Sequence, residues 1–144
     1  MNQPLLVIVD DEEDLLELYA YNFKRRGFAV KTFERAKPAL HFIRKNRPAL
    51  VMCDWMMPEM DGLELCKAIK SSLALADLPF VMVTCRTERL AKSEALAAGV
   101  TEFLTKPIGM ENLVQRIKSL LTDSIRIPGK ISAPENLGSA GMMN

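Results

Sequence analysis

Hydrophobic positions along the chain follow two alternating patterns. Short runs rich in apolar residues occur at Leu5–Val9, Phe28–Phe33, Leu50–Cys53, Phe80–Val83 and Glu102–Leu104. Three of them, LLVIV, LVMC and FVMV, are apolar throughout rather than every second residue. That pattern predicts strands covered on both faces, as in a parallel sheet between two layers of helices. The intervening segments are longer and carry apolar residues at helical spacing. Leu15, Leu16, Leu18, Tyr19 and Phe23 stripe a first helix, which ends before Gly27. Ala36, Ala39, Leu40 and Ile43 mark a second, stopping before Asn46-Arg47-Pro48. Leu63, Cys66, Ile69 and Leu73 mark a third, and Glu88 to Ala98 forms a fourth that ends at Gly99. Leu113, Val114, Ile117, Leu120 and Leu121 mark a fifth. Five strand–helix alternations without an internal repeat predict a doubly wound α/β fold. After Leu121 the periodicity stops. Residues 122–144, rich in Gly, Ser, Pro and Asn, are expected to be a flexible C-terminal tail or linker, which leaves one domain over 1–121.

Composition narrows the function classes. A chain of 144 residues, 49% hydrophobic and 26% charged, suits one ordinary globular domain. A formal net charge of +1 gives no bulk attraction to nucleic acid or anionic lipid. No apolar run reaches membrane-span length, and no basic-then-apolar leader opens the chain, so a cytoplasmic location is expected. Cys53, Cys66 and Cys85 form no CxxC pair and are expected to be reduced, buried packing residues. His41, the only histidine, falls in the second helix pattern and reads as an ordinary helix residue.

The informative positions follow the strands. In open α/β sheets, ligands bind outside the carboxyl ends of the strands, near the point where strand order reverses. The first run leads into Asp10 and Asp11, the third into Asp54, the fourth into Thr84, and the fifth into Thr105, Lys106 and Pro107. Three carboxylates, a hydroxyl and an ammonium would therefore share one edge. Two carboxylates about 5 Å apart repel by roughly 3 kcal/mol at an effective dielectric of about 20. Such a cluster takes up a proton or a cation. Every donor is a hard oxygen, so Mg2+ or Mn2+ is the natural guest, and Mg2+ commonly recruits phosphate oxygens. Lys106 could hold those oxygens by charge and Thr84 by hydrogen bond. Further along, Glu13 and Asp14 read simply as acids complementing the dipole of the first helix.

The stretches VDDE (9–12), DWMMPEMDG (54–62), VTC (83–85) and AGVTEFLTKPI (98–108) occur in this order. Together they resemble the CheY-like receiver domain of two-component response regulators, over about residues 4 to 121. The resemblance implies a flavodoxin-like (βα)5 sandwich with strand order 2-1-3-4-5. It implies that Asp54 is the phosphoacceptor, a carboxylate attacking a phosphoryl group to give an acyl phosphate. Asp10, Asp11 and Asp54 would hold Mg2+, with the backbone carbonyl of Met56 as a further ligand. Lys106 would pair with the transferred phosphoryl group, aimed inward by a cis bond to Pro107. Thr84 would bond a phosphoryl oxygen, and Phe103 would be the aromatic that swings inward with it.

Met56 and Arg86 stand where the family tunes phosphoryl lifetime. Cys85 departs from the small residue usual there. The implied partners are a sensor histidine kinase or histidine phosphotransfer protein as donor. The implied target is a downstream protein or an attached output domain, reached through the surface of the fourth helix, fifth strand and fifth helix, with a phosphorylation-dependent dimer as one arrangement. No nucleic-acid or membrane binding is implied. The domain would catalyse only its own phosphorylation and dephosphorylation, without being a conventional enzyme.

Two other classes share parts of the pattern. A Mg2+-dependent phosphatase working through a phosphoaspartate usually needs an acid two residues after the nucleophile, where this chain has Met56. A flavin-binding carrier shares the topology, but the acids after the first strand would repel the flavin phosphate.

Overall fold

Strand and helix alternate five times along residues 3–126, the residues described by this computed structural model. The strands are β1 (Leu5–Val9), β2 (Ala29–Phe33), β3 (Leu50–Cys53), β4 (Phe80–Thr84) and β5 (Glu102–Thr105). They form one parallel sheet in the order β2-β1-β3-β4-β5. The helices are α1 (Glu13–Arg25), α2 (Ala36–Lys45), α3 (Gly62–Lys70), α4 (Arg89–Ala97) and α5 (Met110–Arg126), with a 3-10 turn at Leu73–Leu75. After β2 the chain crosses to the other side of β1. Strand order therefore reverses between β1 and β3, and the carboxyl ends of these two strands flank the crevice.

The all-apolar runs are strands because both of their faces are covered. β3 and β4 are buried at every position, and β1 at all but Leu5. One face presents Val7, Val9, Val51, Cys53, Phe80 and Met82 to a core with Ala36, Ala39 and Ile43 of α2 and Leu63, Cys66 and Ile69 of α3. Alternation turns Leu6, Ile8, Met52, Val81 and Val83 to the opposite face, where they are buried as well. α1 buries Leu16, Tyr19 and Phe23, at positions i, i+3 and i+7 of one face, and lies against β2.

The first turn of α1 carries Glu13 and Asp14, and its last turn carries Lys24 and Arg25, as the helix dipole favours. α3 starts in a capping box: Asp61 accepts from the Glu64 N–H, and Glu64 accepts from the Asp61 N–H.

Several boundaries differ from the pattern. Phe28 precedes β2 rather than opening it, while β4 and β5 each extend one residue further, to Thr84 and Thr105. Leu18 is 50% exposed, because it lies about 200° around the helix from Leu16. Leu73 is not part of α3; it sits in the 3-10 turn, fully open to solvent. α5 continues to Arg126, past the expected stop at Leu121. Thr122, Asp123 and Ser124 are tolerable helix residues once the preceding turns are formed. The rest of the expected tail lies outside the described residues. Contacts divide the chain after Met110, with the segment from Glu111 forming a second compact unit in which Leu113, Val114 and Ile117 are buried. Among the described residues, no helix is long and apolar enough to cross a membrane.

Candidate functional site

Register brings the acids together. Val9 pairs with Cys53 at the carboxyl ends of β1 and β3, so Asp10 and Asp54 are the next residues on adjacent strands. Backbone bonds carry the alignment past the strands: the Asp54 N–H donates to the Val9 carbonyl at 3.0 Å, and the Asp10 N–H to the Phe33 carbonyl at 3.1 Å. On the other side, Thr84 pairs with Thr105, and the Lys106 N–H donates to the Thr84 carbonyl at 2.8 Å.

Lys106 Nζ bridges the two strand ends. It donates to Asp10 Oδ2 at 3.0 Å and to Asp54 Oδ2 at 3.2 Å. The peptide bond between Lys106 and Pro107 is cis, as the resemblance implies. Asp10 is buried, and its Oδ1 accepts the Glu12 N–H at 2.9 Å. Asp54 is half-buried, and its Oδ1 accepts the Trp55 N–H at 2.7 Å. Asp11 is exposed at the rim. One carboxylate oxygen from each of Asp10, Asp11 and Asp54 lies within 4.8 Å of the others.

The site's electrostatics are lopsided. Burial pushes the Asp10 carboxyl above its ordinary range, and the Glu12 N–H and the Lys106 ammonium pull it only part of the way back. Burial alone would lower Lys106, but the hydrogen bond and charge of Asp10 and the charge of Asp54 outweigh it and hold the ammonium above its usual range. One ammonium shared by two carboxylates gains from both, while each carboxylate gets only a share in return. Asp10 and Asp54, with oxygens 4.8 Å apart or less, repel by about 3 kcal/mol or more at an effective dielectric of about 20.

A set of three carboxylates, with one member at the solvent rim, fits a hard divalent cation by donor type and spacing. No histidine competes: His41 is exposed on α2.

The remaining candidates fall around this cluster. Thr84 is fully buried at the end of β4, and its Oγ1 accepts the Arg86 N–H at 3.3 Å. Phe103, in the middle of β5, is half-buried and meets Trp55 edge-on, with ring centroids 6.3 Å apart. Met56 is 61% exposed beside the acids. Cys85 is exposed, contrary to the packing role expected of all three cysteines. β4 ends at Thr84, so Cys85 opens a loop instead of entering the core.

Two features were hidden from the sequence. Gly62, the first residue of α3, is needed for a close approach to the end of β3. A Cβ there would lie 2.1 Å from the Asp54 backbone oxygen and 3.0 Å from the Trp55 Cα. Its N–H donates to the Trp55 carbonyl at 2.8 Å. Secondly, the Arg86 guanidinium lies over the buried Trp55 ring, 4.2 Å from its centroid. No local pattern announces a contact between residues so far apart in the chain.

Similarity to known proteins agrees with this geometry. The response regulator receiver domain family profile matches residues 6–118. The chain is 34% identical over 118 residues to the phosphate regulon transcriptional regulatory protein PhoB of Rhizobium meliloti (strain 1021), a match covering 82% of this chain and 52% of that protein. It is 33% identical over 136 residues to the alkaline phosphatase synthesis transcriptional regulatory protein PhoP of Bacillus subtilis (strain 168), covering 94% and 53%. The chain thus spans about half the length of these relatives.

Among solved structures, chemotaxis protein CheY4 of Vibrio cholerae superimposes with a TM-score of 0.78 at 27% identity, covering 82% of this chain and 98% of that one. The receiver domain of a signal transduction histidine kinase from Syntrophus aciditrophicus does so with a TM-score of 0.79 at 27% identity, covering 90% and 98%. With an Asp-Asp pair, a central Asp, a Thr and a Lys at four ends of a sheet ordered 2-1-3-4-5, the chain belongs to the response regulator receiver domain family of two-component systems.

Proposed function

We propose that this domain is a phosphorylation-dependent switch that takes a phosphoryl group onto Asp54 from the phosphohistidine of a sensor kinase or phosphotransfer protein. The observation carrying this reading is the bridge from Lys106 Nζ to Asp10 and Asp54, with Asp11 within reach of both acids. It gathers residues from three strand ends around one half-buried carboxylate.

Asp10, Asp11, Asp54 and the Met56 carbonyl would hold Mg2+, which supplies positive charge against the phosphoryl oxygens when bound. One carboxylate oxygen of Asp54 attacks phosphorus in line. The phosphorus–nitrogen bond to the donor histidine breaks, and the electron pair returns to the imidazole. Lys106 already points at Asp54 and would follow the charge onto the phosphoryl oxygens. The Thr84 hydroxyl would leave the Arg86 N–H to donate to one of them. Phe103 would respond to the space Thr84 vacates, altering the exposed side of α4 and β5. Transfer thereby biases a two-state equilibrium that a partner protein or output domain reads. The domain catalyses only its own phosphorylation and the later hydrolysis of the acyl phosphate.

Trp55 provides the test, being the only tryptophan and bonded through its N–H to the phosphoacceptor carboxylate. Mg2+ followed by acetyl phosphate should change its emission, and the acetyl phosphate response should be absent in Asp54→Asn. A response that survives this substitution would place the chemistry elsewhere.

Arg86, two residues after Thr84, and Met56, two residues after Asp54, would set how readily water reaches the acyl phosphate. Arg86→Ala should speed loss of the phosphoryl group about threefold or more, a change of about 0.7 kcal/mol in barrier. A decay rate equal to the native one rules out that role for Arg86.

A further inference from the structure

Thr84 Oγ1 is held by an acceptor bond that fixes where its hydroxyl sits, and the residue that donates this bond is itself restrained. Its buried Oγ1 is committed to the Arg86 N–H at 3.3 Å. Arg86 in turn is pinned by its side chain at two points. The guanidinium lies over the Trp55 ring at 4.2 Å, and Nε donates to Glu88 Oε1 at 3.1 Å. Glu88 is the residue just before α4. Trp55 is itself held in place: it is buried, its N–H donates to Asp54 Oδ1 at 2.7 Å, and its carbonyl accepts the Gly62 N–H at 2.8 Å. Its edge contact with Phe103 continues the chain of contacts to β5.

We infer that Arg86 is a positioning residue, clamped on Trp55, that holds Thr84 in its resting place and so opposes the phosphorylated arrangement. This rests on the reading of Asp54 as phosphoacceptor. The ion pair to the exposed Glu88 contributes little on its own. The stack on a buried indole is the stronger restraint, because the ring face is shielded from water. The same residue that donates to Thr84 Oγ1 is thus anchored at its far end on Trp55, so the stack resists a shift of the segment after β4 that would carry the Arg86 N–H away from Thr84. The clamp therefore taxes the active state by the strength of the stack. Its removal should shift the equilibrium toward that state about threefold to tenfold.

Beryllofluoride, which mimics a phosphoryl group on a carboxylate, is the probe. Its affinity is measured by calorimetry in the presence of Mg2+ for the native chain, Arg86→Ala, Arg86→Lys and Glu88→Gln. Arg86→Ala should bind about threefold to tenfold tighter, Arg86→Lys should fall between it and the native chain, and Glu88→Gln should stay near native. Acrylamide should quench Trp55 more readily in Arg86→Ala before any ligand is added. A residue that merely supports the fold would lower stability and leave affinity unchanged or weaker. That result, with the native chain still binding, overturns the clamp alone. No binding by the native chain overturns both the clamp and the assignment of Asp54.

Discussion

A Gly62→Ala chain is expected to lose about 3 kcal/mol of stability, near the upper end for an overpacked site. For a domain of this size that is a fall of about 10 °C in the unfolding midpoint. It should also fail to take up a phosphoryl group. The added Cβ would sit 2.1 Å from the Asp54 oxygen and 3.0 Å from both the Asp54 carbonyl carbon and the Trp55 Cα. All three are backbone atoms, so no rotamer change relieves the contact. The segment between β3 and α3 has to shift, and Asp54 and Trp55 shift with it. Urea unfolding and labelling by acetyl phosphate check the two halves of this expectation. A variant with the native midpoint and native labelling would show that the close approach is not needed.

Asp10→Asn should act in opposite directions on stability and on cation binding. The Asp10 carboxyl is pushed up by burial, and its hydrogen bonds and Lys106 do not fully restore it. Its folded pKa therefore lies above the unfolded value, so the folded state binds this proton more tightly. The stability this group contributes is complete below about pH 4 and is lost as pH rises through the folded pKa. At neutral pH the ionised carboxylate is a net cost. An amide in its place removes that cost and still accepts the Glu12 N–H; its NH2 replaces the oxygen that accepted from Lys106, whose ammonium keeps Asp54 as its partner. In chelator at neutral pH, Asp10→Asn should be more stable than the native chain, because the desolvated charge is gone while Lys106 keeps a carboxylate partner in Asp54. Its advantage should vanish toward pH 4 as the native carboxylate gains its proton. Mg2+ affinity should drop about tenfold or more, because one of three anionic donors is gone. Denaturation across this pH range and titration of Trp55 emission with Mg2+ measure the two effects. A loss of stability at neutral pH would mean that pairing with Lys106 outweighs burial at Asp10.

Lys106 follows the opposite logic. Its ammonium is held above the usual range by Asp10 and Asp54. The stability it brings is complete below about pH 10 and is lost only as pH rises through the folded pKa. Across the neutral range Lys106 is fixed as a cation, and Asp10 is the member of the pair whose charge is costly.

Most of the scaffold was legible because burial on both faces leaves a direct trace. LLVIV, LVMC and FVMV read as strands in a covered sheet, and each is one. The acids and the lysine were legible for a related reason: polar residues directly after such strands mark the ligand edge of an α/β sheet. Boundaries were less so. Leu18 and Leu73 are apolar, yet local geometry turns them to solvent. Thr105 gives no apolar signal, yet it pairs with Thr84.

The sequence by itself determined which residue types stand at each strand end: acids after β1 and β3, a threonine at the end of β4 and a lysine after β5. Only the tertiary structure decided how they meet. The pairing of Val9 with Cys53 puts Asp10 beside Asp54, and Lys106 spans them. The approach of Gly62 to the Asp54 carbonyl and the stack of Arg86 on Trp55 were decided at the same level. Residue type and period are local properties of a chain, whereas distances between residues far apart along it are set by register and packing.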